Sequence, residues 1–425
     1  MQDPTLTSAD VLIIGGGPAG LSLAASLGQA GFRATVLEQQ GDEALARPAP
    51  DGREIALTHP SVALLERLGS WQRLAAHEVG LLHAAQVHDG PVGASQALHL
   101  HAGGSGVAHL GWIVPNHALR RTAWEVARAT PGVRLITGAR VQRVSTLAAH
   151  AEVEYLPAGD GQAPQRLHAP LVVAADSRLS ATRRQLGIGA SMTDFGRTVI
   201  VCRLRCERPH GEVAHECFGY ERTLAILPLP ADPADGAPLC SAVVTAGSAA
   251  AQALLALPPQ AFADSVAAQF GHRLGAMQLV GERHAYPLVA VYAQRFADAR
   301  CALLGDAAVG MHPVTAHGYN LGLSGVAGLT QVLTAARARG ADLGAASVLQ
   351  RYARAHHLHA WPLYQGTNAI VRLYTDDRAL PRLARRAVLA GALRLPPLQA
   401  AIVSQLTGRR PAWPTRAGTS ARVLP

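Results

Sequence analysis

The sequence is short of cysteine, of charge and of long apolar runs, and each shortage removes a class of protein. The five cysteines, Cys202, Cys206, Cys217, Cys240 and Cys301, are odd in number and lack CxxC spacing. That excludes a disulfide framework as the source of stability and fits the reduced thiols of a cytosolic enzyme. No four-ligand set of cysteine and histidine is present, so no metal site is expected. His356, His357 and His359 cluster in a stretch of helical pattern and are read as surface or packing residues. Charged residues are 16 % of the chain against 49 % hydrophobic, which excludes a disordered protein. No uninterrupted apolar segment is long enough to span a bilayer. The N-terminal stretch carries Asp3 and Asp10 and has no basic residue before Arg33. It does not read as a secretory signal, and a cytoplasmic location is expected. Internal repeats and low-complexity linkers are also missing.

At 425 residues the chain is too long for one compact core and suits two intertwined domains plus a tail. The net charge of +9 is concentrated at one end: from Ile370 to Pro425 ten arginines and two aspartates give +8. A basic tail of this kind binds nucleic acid or an anionic membrane surface. No basic groove interleaved with aromatics accompanies it, so nucleic acid is not expected, and peripheral membrane contact is the better reading. Within the tail, Arg378 to Leu395 has helical periodicity. At about 100° per residue, Arg378, Arg382, Arg385 and Arg386 fall on one side and Leu380, Leu383, Ala387 and Val388 on the other. Such a segment either lies on a membrane or is the solvated face of a packed helix.

The first chemical signal is a strand–turn–helix–strand series. Val11 to Ile14 reads as a buried parallel strand, Pro18 to Ala30 as a helix and Ala34 to Leu37 as a second strand ending at Glu38. Between the first two lies Gly15-Gly16-Gly17-Pro18-Ala19-Gly20. Gly15, Gly17 and Gly20 match GxGxxG: a tight turn, a close approach of backbone to a pyrophosphate, and close helix–strand packing. The helix N-terminus adds free N–H groups and the positive end of its dipole. Glu38 stands where a carboxylate accepts hydrogen bonds from ribose hydroxyls. Together these point to a dinucleotide cofactor held without covalent attachment.

The second signal is Leu303-Leu304-Gly305-Asp306-Ala307-Ala308, followed by His312-Pro313 and Gly318-Tyr319-Asn320-Leu321. Asp306, after a buried strand, suits a hydrogen bond to a ribityl hydroxyl, though an aspartate there is also a common helix cap. A helix opening near Gly318 aims its N–H groups at a flavin carbonyl.

With the mid-chain Asp176-Ser177-Arg178-Leu179-Ser180-Ala181-Thr182-Arg183, these segments resemble the FAD-dependent aromatic hydroxylases of the para-hydroxybenzoate hydroxylase fold. The resemblance runs from Val11 to about Val371. The C-terminal motif is similar to that of the hydroxylases of ubiquinone biosynthesis. The fold class implied is α/β: a Rossmann-type FAD-binding domain (1–75, 110–188 and 285–370), an inserted, mainly antiparallel substrate sheet (76–109 and 189–284) and a basic helical C-terminal region (371–425). Position by position, Gly15, Gly17, Pro18, Ala19 and Gly20 would meet the FAD pyrophosphate and Glu38 its ribose. Arg53, in Asp51-Gly52-Arg53-Glu54, would meet a flavin phosphate, and Asn116 and Arg120 would be further polar contacts. Asp176 and Arg183 belong to the loop that serves FAD and the nicotinamide. Asp306 would bind the ribityl chain, and Pro313, Gly318 and Asn320 would line the isoalloxazine. The implied reaction is ring hydroxylation of a polyprenylated phenol or quinol through a flavin hydroperoxide, with NAD(P)H as reductant. The implied partners are a ubiquinone-biosynthesis complex and the inner face of the membrane.

Two departures from the family stand out. Ser177 replaces the usual glycine of the mid-chain motif, and Ala316-His317-Gly318 stands where relatives have Gly-Gln-Gly. Both resemble the branch acting on demethoxyubiquinol. His317, with a reference pKa near neutrality, is the candidate for proton transfer beside the flavin, and a packing replacement for the glutamine is the alternative preferred for it. Tyr220 and Arg222 fall in the expected substrate sheet. A hydroxylase of another phenol, a flavin-dependent reductase of isoprenoid double bonds and a non-catalytic flavoprotein scaffold remain open alternatives.

Overall fold

The computed structural model describes residues 9–90, 97–103, 106–159, 161–219, 222–311, 318–375 and 396–408. A six-stranded sheet runs in the order Ala297–Asp298, Cys301–Leu303, Leu171–Ala174, Val11–Ile14, Ala34–Leu37, Val133–Ile136. Every neighbouring pair is parallel except the short edge pair Ala297–Asp298 with Cys301–Leu303. The strands at 11–14, 34–37 and 171–174 are buried at every residue, so they read as continuous apolar runs rather than alternating ones. Val11 lies opposite both Ala34 and Leu171, which makes the N-terminal strand the middle of this sheet.

Helices cover this sheet. Pro18–Gln29 starts with proline in its first turn and buries Leu21, Leu23 and Leu27. The longer helix Gly318–Ala338 packs beside it, where Ser26 Oγ and Thr330 Oγ1 lie 2.9 Å apart. Arg337, near its end, donates to Gly31 O at 2.8 Å and lies over the Phe32 ring. Helix Ala346–Thr375 is pinned to the sheet by Tyr352, whose hydroxyl donates to Leu303 O at 2.7 Å. His356 is buried and stacked on Tyr352, and burial pushes it down to about 4, so this imidazole packs as a neutral ring.

The second large sheet has eight strands: Val309–Gly310, Met277–Ala293, Ala190–Cys206, Leu239–Gly247, Arg222–Pro228, Val213–Phe218, Ala84–Asp89, Leu98–His101. It is antiparallel except where Val213–Phe218 runs parallel to Ala84–Asp89. One face packs Ile200, Cys202, Leu224 and Val244 against Phe262, Val266 and Phe270. Those aromatic and aliphatic anchors come from helix Pro259–Gln269 and the Phe270 that caps it, which follow helix Ser248–Ala256. The sequence pattern predicts a mainly antiparallel sheet for this stretch and no particular helix. Its alanine content instead stabilises two helices that cover the sheet. The strand Met277–Ala293 also continues through position 284, where a domain boundary was expected. Pro287 within it sits opposite Thr198 beside a register shift, a place where a strand tolerates a missing N–H.

Two three-stranded sheets complete the molecule. Glu54–Leu57 and Gly80–Leu82 flank Gly111–Pro115. Arg140–Thr146, Ala151–Leu156 and Gln165–Ala169 form an antiparallel outer sheet. There the cross-strand pair His168 and Glu152 hydrogen-bonds at 2.9 Å beside His150, a cluster of possible metal-ligand types that the sequence spacing did not reveal. All five cysteines are buried and unbridged. Helix Pro396–Thr407 places Val403 against Leu82, Leu98 and Leu100. The Arg378 to Leu395 segment lies outside the described residues. Among the described residues no helix is long and apolar enough to cross a membrane.

Among the non-glycine residues described with positive φ, Ser177 lies furthest from the left-handed helical region. Ser177, just after Leu171–Ala174, has φ +113°, a conformation that glycine adopts freely and serine does not. We expect Ser177→Gly to raise stability by about 1 kcal/mol, the strain relieved less the extra freedom of the unfolded chain. Thermal unfolding followed by circular dichroism reads this as a higher midpoint; a lower midpoint would show that the serine conformation is unstrained.

Candidate functional site

Three strand ends converge on one cleft, and the convergence depends on missing side chains. Gly15 has φ +109°, and a Cβ on it would stand 2.4 Å from Ala175 O. On Gly20 a Cβ would stand 2.1 Å from Gly15 O, which is why the helix Pro18–Gln29 can begin directly on the turn. Gly305 has φ +59°, and a Cβ there would touch Ala19 Cβ at 3.3 Å. The first strand, the mid-chain strand and the late strand therefore end side by side at their carboxyl ends, where ligands bind in open parallel sheets.

The cleft has a volume of about 510 Å³, within the range of roughly 300–1,000 Å³ usual for small-molecule and cofactor sites. At one end lie Gly15, Gly17, Pro18, Ala19, Glu38, Gln40 and Arg120. Gly17 is the residue that opens the helix; it has no side-chain cap, and a Cβ on it would meet nothing within 4 Å. Free helix N–H groups thus face open space, a cradle for an anion. The Glu38 carboxylate accepts from Gly16 N at 2.5 Å and Gln40 N at 2.9 Å, so it braces the glycine turn while lining the cleft. Arg120 donates to Gln40 Oε1 at 2.7 Å.

Midway along, Asp51 organises the polar groups. Its Oδ2 accepts from Asn116 Nδ2 at 2.7 Å and from Arg53 Nη2 at 2.5 Å. Burial alone would raise the Asp51 carboxyl, but the hydrogen bond and charge of Arg53, with Asn116, outweigh it and hold it below its usual value. Burial likewise works against the Arg53 charge, and Asp51 more than offsets it. Tyr286, from the large sheet, donates to Asp51 O at 2.8 Å and lies under the Arg53 guanidinium. Arg53 is thereby fixed in direction before any ligand arrives. Neither Asp51 nor Tyr286 was singled out from the sequence; Asp51 was legible only as a neighbour of Arg53, and Tyr286 comes from a strand with no local motif.

Asp306 and Asp176 lie on the same cleft, joined through the mid-chain loop. Arg178 donates to Asp306 Oδ2 and Met311 O, each at 3.3 Å, and to Val289 O at 2.7 Å. Asp176 accepts from Ser180 Oγ at 2.5 Å and from Thr182 N at 3.0 Å, closing its own turn. Gly318, at the start of its helix, also lines the cleft.

Other predicted residues support the walls. Arg183 is buried and donates to Ala307 O at 2.9 Å and Arg178 O at 3.2 Å, tying the mid-chain loop to the late turn. Asn320 accepts from Thr58 N at 3.0 Å and donates to Ala56 O at 2.8 Å, which clamps its helix to the strand Glu54–Leu57. Arg222 donates to Ser265 Oγ at 2.9 Å, toward the covering helix. Pro313, His317 and Tyr220 lie outside the described residues.

The far end of the cleft is a wall of the large sheet: Val201, Ala225, Leu227 and Val243, with Thr223, Thr245 and Glu216. Glu54 lines the cleft nearby and is paired with Arg203 at 2.8 Å, while its Oε2 has no hydrogen-bond partner among the described residues. Burial pushes Glu54 up to about 7 in spite of Arg203. The arrangement is an elongated slot, anion-binding at one end, polar in the middle and apolar at the other. It fits FAD: open helix N–H groups for the pyrophosphate, an oriented arginine, two aspartates beside the late turn, and a largely apolar sheet wall beyond them.

Comparison with known proteins agrees with this geometry. A family model described as FAD binding domain matches residues 8–367. Ubiquinone hydroxylase UbiM of Neisseria meningitidis is 43 % identical over 404 residues, 94 % of this chain and 85 % of that protein. Ubiquinone hydroxylase UbiL of Rhodospirillum rubrum is 35 % identical over 92 % of this chain and 87 % of that protein. Among solved structures, p-nitrophenol 4-monooxygenase PnpA of Pseudomonas putida superposes with a TM-score of 0.74 at 20 % identity, covering 95 % of this chain and 99 % of that one. The chain belongs to the FAD-binding domain family and is an FAD-dependent monooxygenase of the aromatic-hydroxylase class.

Proposed function

We propose that the enzyme hydroxylates the aromatic ring of a ubiquinone precursor, a polyprenylated quinol of the demethoxyubiquinol type. The observation that carries this is one continuous cleft shared by the glycine turn, the Gly305–Asp306 turn and an apolar sheet wall. The hydroxylases that match over most of the chain act, by their names, on ubiquinone, and a further relative 29 % identical is the 3-demethoxyubiquinol 3-hydroxylase of Escherichia coli.

Bound FAD supplies transfer of one oxygen atom from dioxygen to an electron-rich ring, with NAD(P)H as the source of reducing electrons. The rest falls to the protein. Open N–H groups after Gly17 hold the pyrophosphate, and Glu38 takes the adenosine ribose. Arg53, held by Asp51 and Asn116, meets a phosphate oxygen or the edge of the flavin without having to be reoriented. Asp306, steadied by Arg178, takes a ribityl hydroxyl. The helix beginning at Gly318 directs its positive end toward the ring system and favours negative charge there. The wall of valines, alanine and leucine excludes water from the reacting ring.

Replacing Asp306 with Ala is expected to weaken FAD binding at least tenfold, the loss of one hydrogen bond to an anionic acceptor in a partly dry site. Fluorescence titration of the deflavinated protein measures this, and FAD binding as tight as in the unaltered protein contradicts the assignment. With FAD restored, incubation with a short-tail demethoxyubiquinol, NADH or NADPH and labelled dioxygen is expected to place one labelled oxygen on the ring. Reductant oxidised without any labelled ring overturns the proposed activity.

The basic residues of 370–425 suit contact with an anionic membrane, where a polyprenylated substrate resides. Helix Pro396–Thr407 packs on the body, so neutralisation is a cleaner probe than truncation. Changing Arg378, Arg382, Arg385 and Arg386 to Gln is expected to cut co-sedimentation with anionic vesicles by more than tenfold, at about 1 kcal/mol for each charge near the surface. Equal sedimentation of both proteins rules this contact out.

A further inference from the structure

Glu216 is the one ionisable side chain that the large sheet presents to the far end of the cleft among the described residues. Strand alternation fixes its direction. On Val213–Phe218, His215 and Cys217 face the covering helix: the His215 ring meets Phe270 at 4.9 Å between centroids, and Cys217 belongs to the cluster with Phe262. Glu216, between them, faces the other way. Register places it at the end of a cross-sheet row of small apolar residues, opposite Ala225, which is opposite Val243, which is opposite Val201. All four line the cleft. No hydrogen bond or ion pair engages the Glu216 carboxyl among the described residues, whereas Arg203, two residues from Val201 on the same strand face, is held by Glu54. Glu216 is half-buried, and its carboxyl is turned to the cleft, where a ligand can meet it.

We propose that Glu216 is a specificity-determining residue of this enzyme, its carboxyl forming a hydrogen bond with a ring hydroxyl of an uncharged phenol or quinol lying against the Ala225–Val243–Val201 row. The proposal rests on the hydroxylase reading above and deepens it by naming what selects the ring. Withdrawal from water pushes Glu216 up to about 8, so at neutral pH it is mostly protonated and can both donate and accept. The arginines beside this wall are already paired, Arg203 with Glu54 and Arg53 with Asp51, so an aromatic carboxylate would meet no uncompensated cation among the described residues to offset its own desolvation. An uncharged oxygenated ring carries no such burden, and Thr223 and Thr245 offer further hydroxyls beside it.

The test uses full-length, FAD-loaded protein and two probes: a short-tail methoxyhydroquinone and the same ring lacking the hydroxyl. Ring affinity is read from perturbation of the flavin absorption spectrum, and KM and kcat from hydroxylated product. Glu216→Leu is expected to weaken binding of the hydroquinone and raise its KM about tenfold or more, with a smaller change in kcat and with FAD affinity unaltered. Glu216→Gln, which also donates and accepts, is expected to stay within about threefold of the unaltered protein. A Leu variant that binds the hydroquinone normally, or a Gln variant as weak as the Leu variant, overturns the role. Should the Leu variant fail to hold FAD, the unaltered protein decides: it is expected to prefer the hydroxylated ring about tenfold, and equal affinity for both rings overturns the role. Absence of hydroxylated product from the unaltered protein overturns the function proposed above, whereas loss of discrimination with product intact overturns only Glu216.

Discussion

The site depends on the close approach of three strand ends, and that approach is possible only where side chains are missing. Gly15 lies against Ala175 O, Gly20 against Gly15 O and Gly305 against Ala19. Add a methyl group to either of the first two and the helix carrying the open N–H groups must move away from the sheet. Everything polar in the cleft is positioned relative to that junction. The aspartate of the late turn follows Gly305, and the mid-chain loop that steadies it begins at Ala175, the residue Gly15 touches. Catalytic geometry here is a consequence of helix–sheet packing, since a rigid cradle orients a cofactor that supplies the chemistry.

The charged groups show how a partly buried site keeps its ions. Asp51 and Arg53 hold one another charged against burial, with Asn116 and Tyr286 completing the set. Arg178 joins Asp306 to the carbonyls of Val289 and Met311. The bonds of Asn116 and Tyr286 to Asp51 and of Arg178 to Asp306 and Val289 cross between segments far apart in sequence, so they tie the two sheets together and preset the direction of the side chains that face the cleft. The two glutamates at the sheet end behave differently. Glu54 has a partner and Glu216 none among the described residues, and both are raised toward neutrality or above it. A slot that is anion-binding at one end and hospitable to neutral oxygen at the other suits a molecule with phosphates at one extremity and a substrate ring at the other.

Much of this was legible in the sequence because the relevant forces are local. Three all-apolar strands and a glycine turn specify their own geometry, and Val11–Ile14, Pro18–Gln29 and Ala34–Leu37 lie where their patterns place them. The placement of Asp306 and Gly318 on the cleft followed from the family resemblance. What was not legible is relational. That Arg183 and Asn320 brace walls instead of lining them depends on where Ala307 and Thr58 arrive. The partnership of Tyr286 with Asp51 and the direction of Glu216 depend on register in a sheet assembled from distant segments. The helices Ser248–Ala256 and Pro259–Gln269 were hidden among strand-like neighbours, and the Met277–Ala293 ladder runs through position 284, where a boundary was expected.

The central claim is that one flavin spans the two glycine turns. An experimental structure of the FAD-loaded protein tests it most directly. The account predicts electron density for the pyrophosphate against Gly15 to Gly17, the ribityl chain beside Asp306, and the ring system between Gly318 and the wall that carries Val243. Density that leaves either turn unengaged, or that places the ring away from that wall, would contradict it.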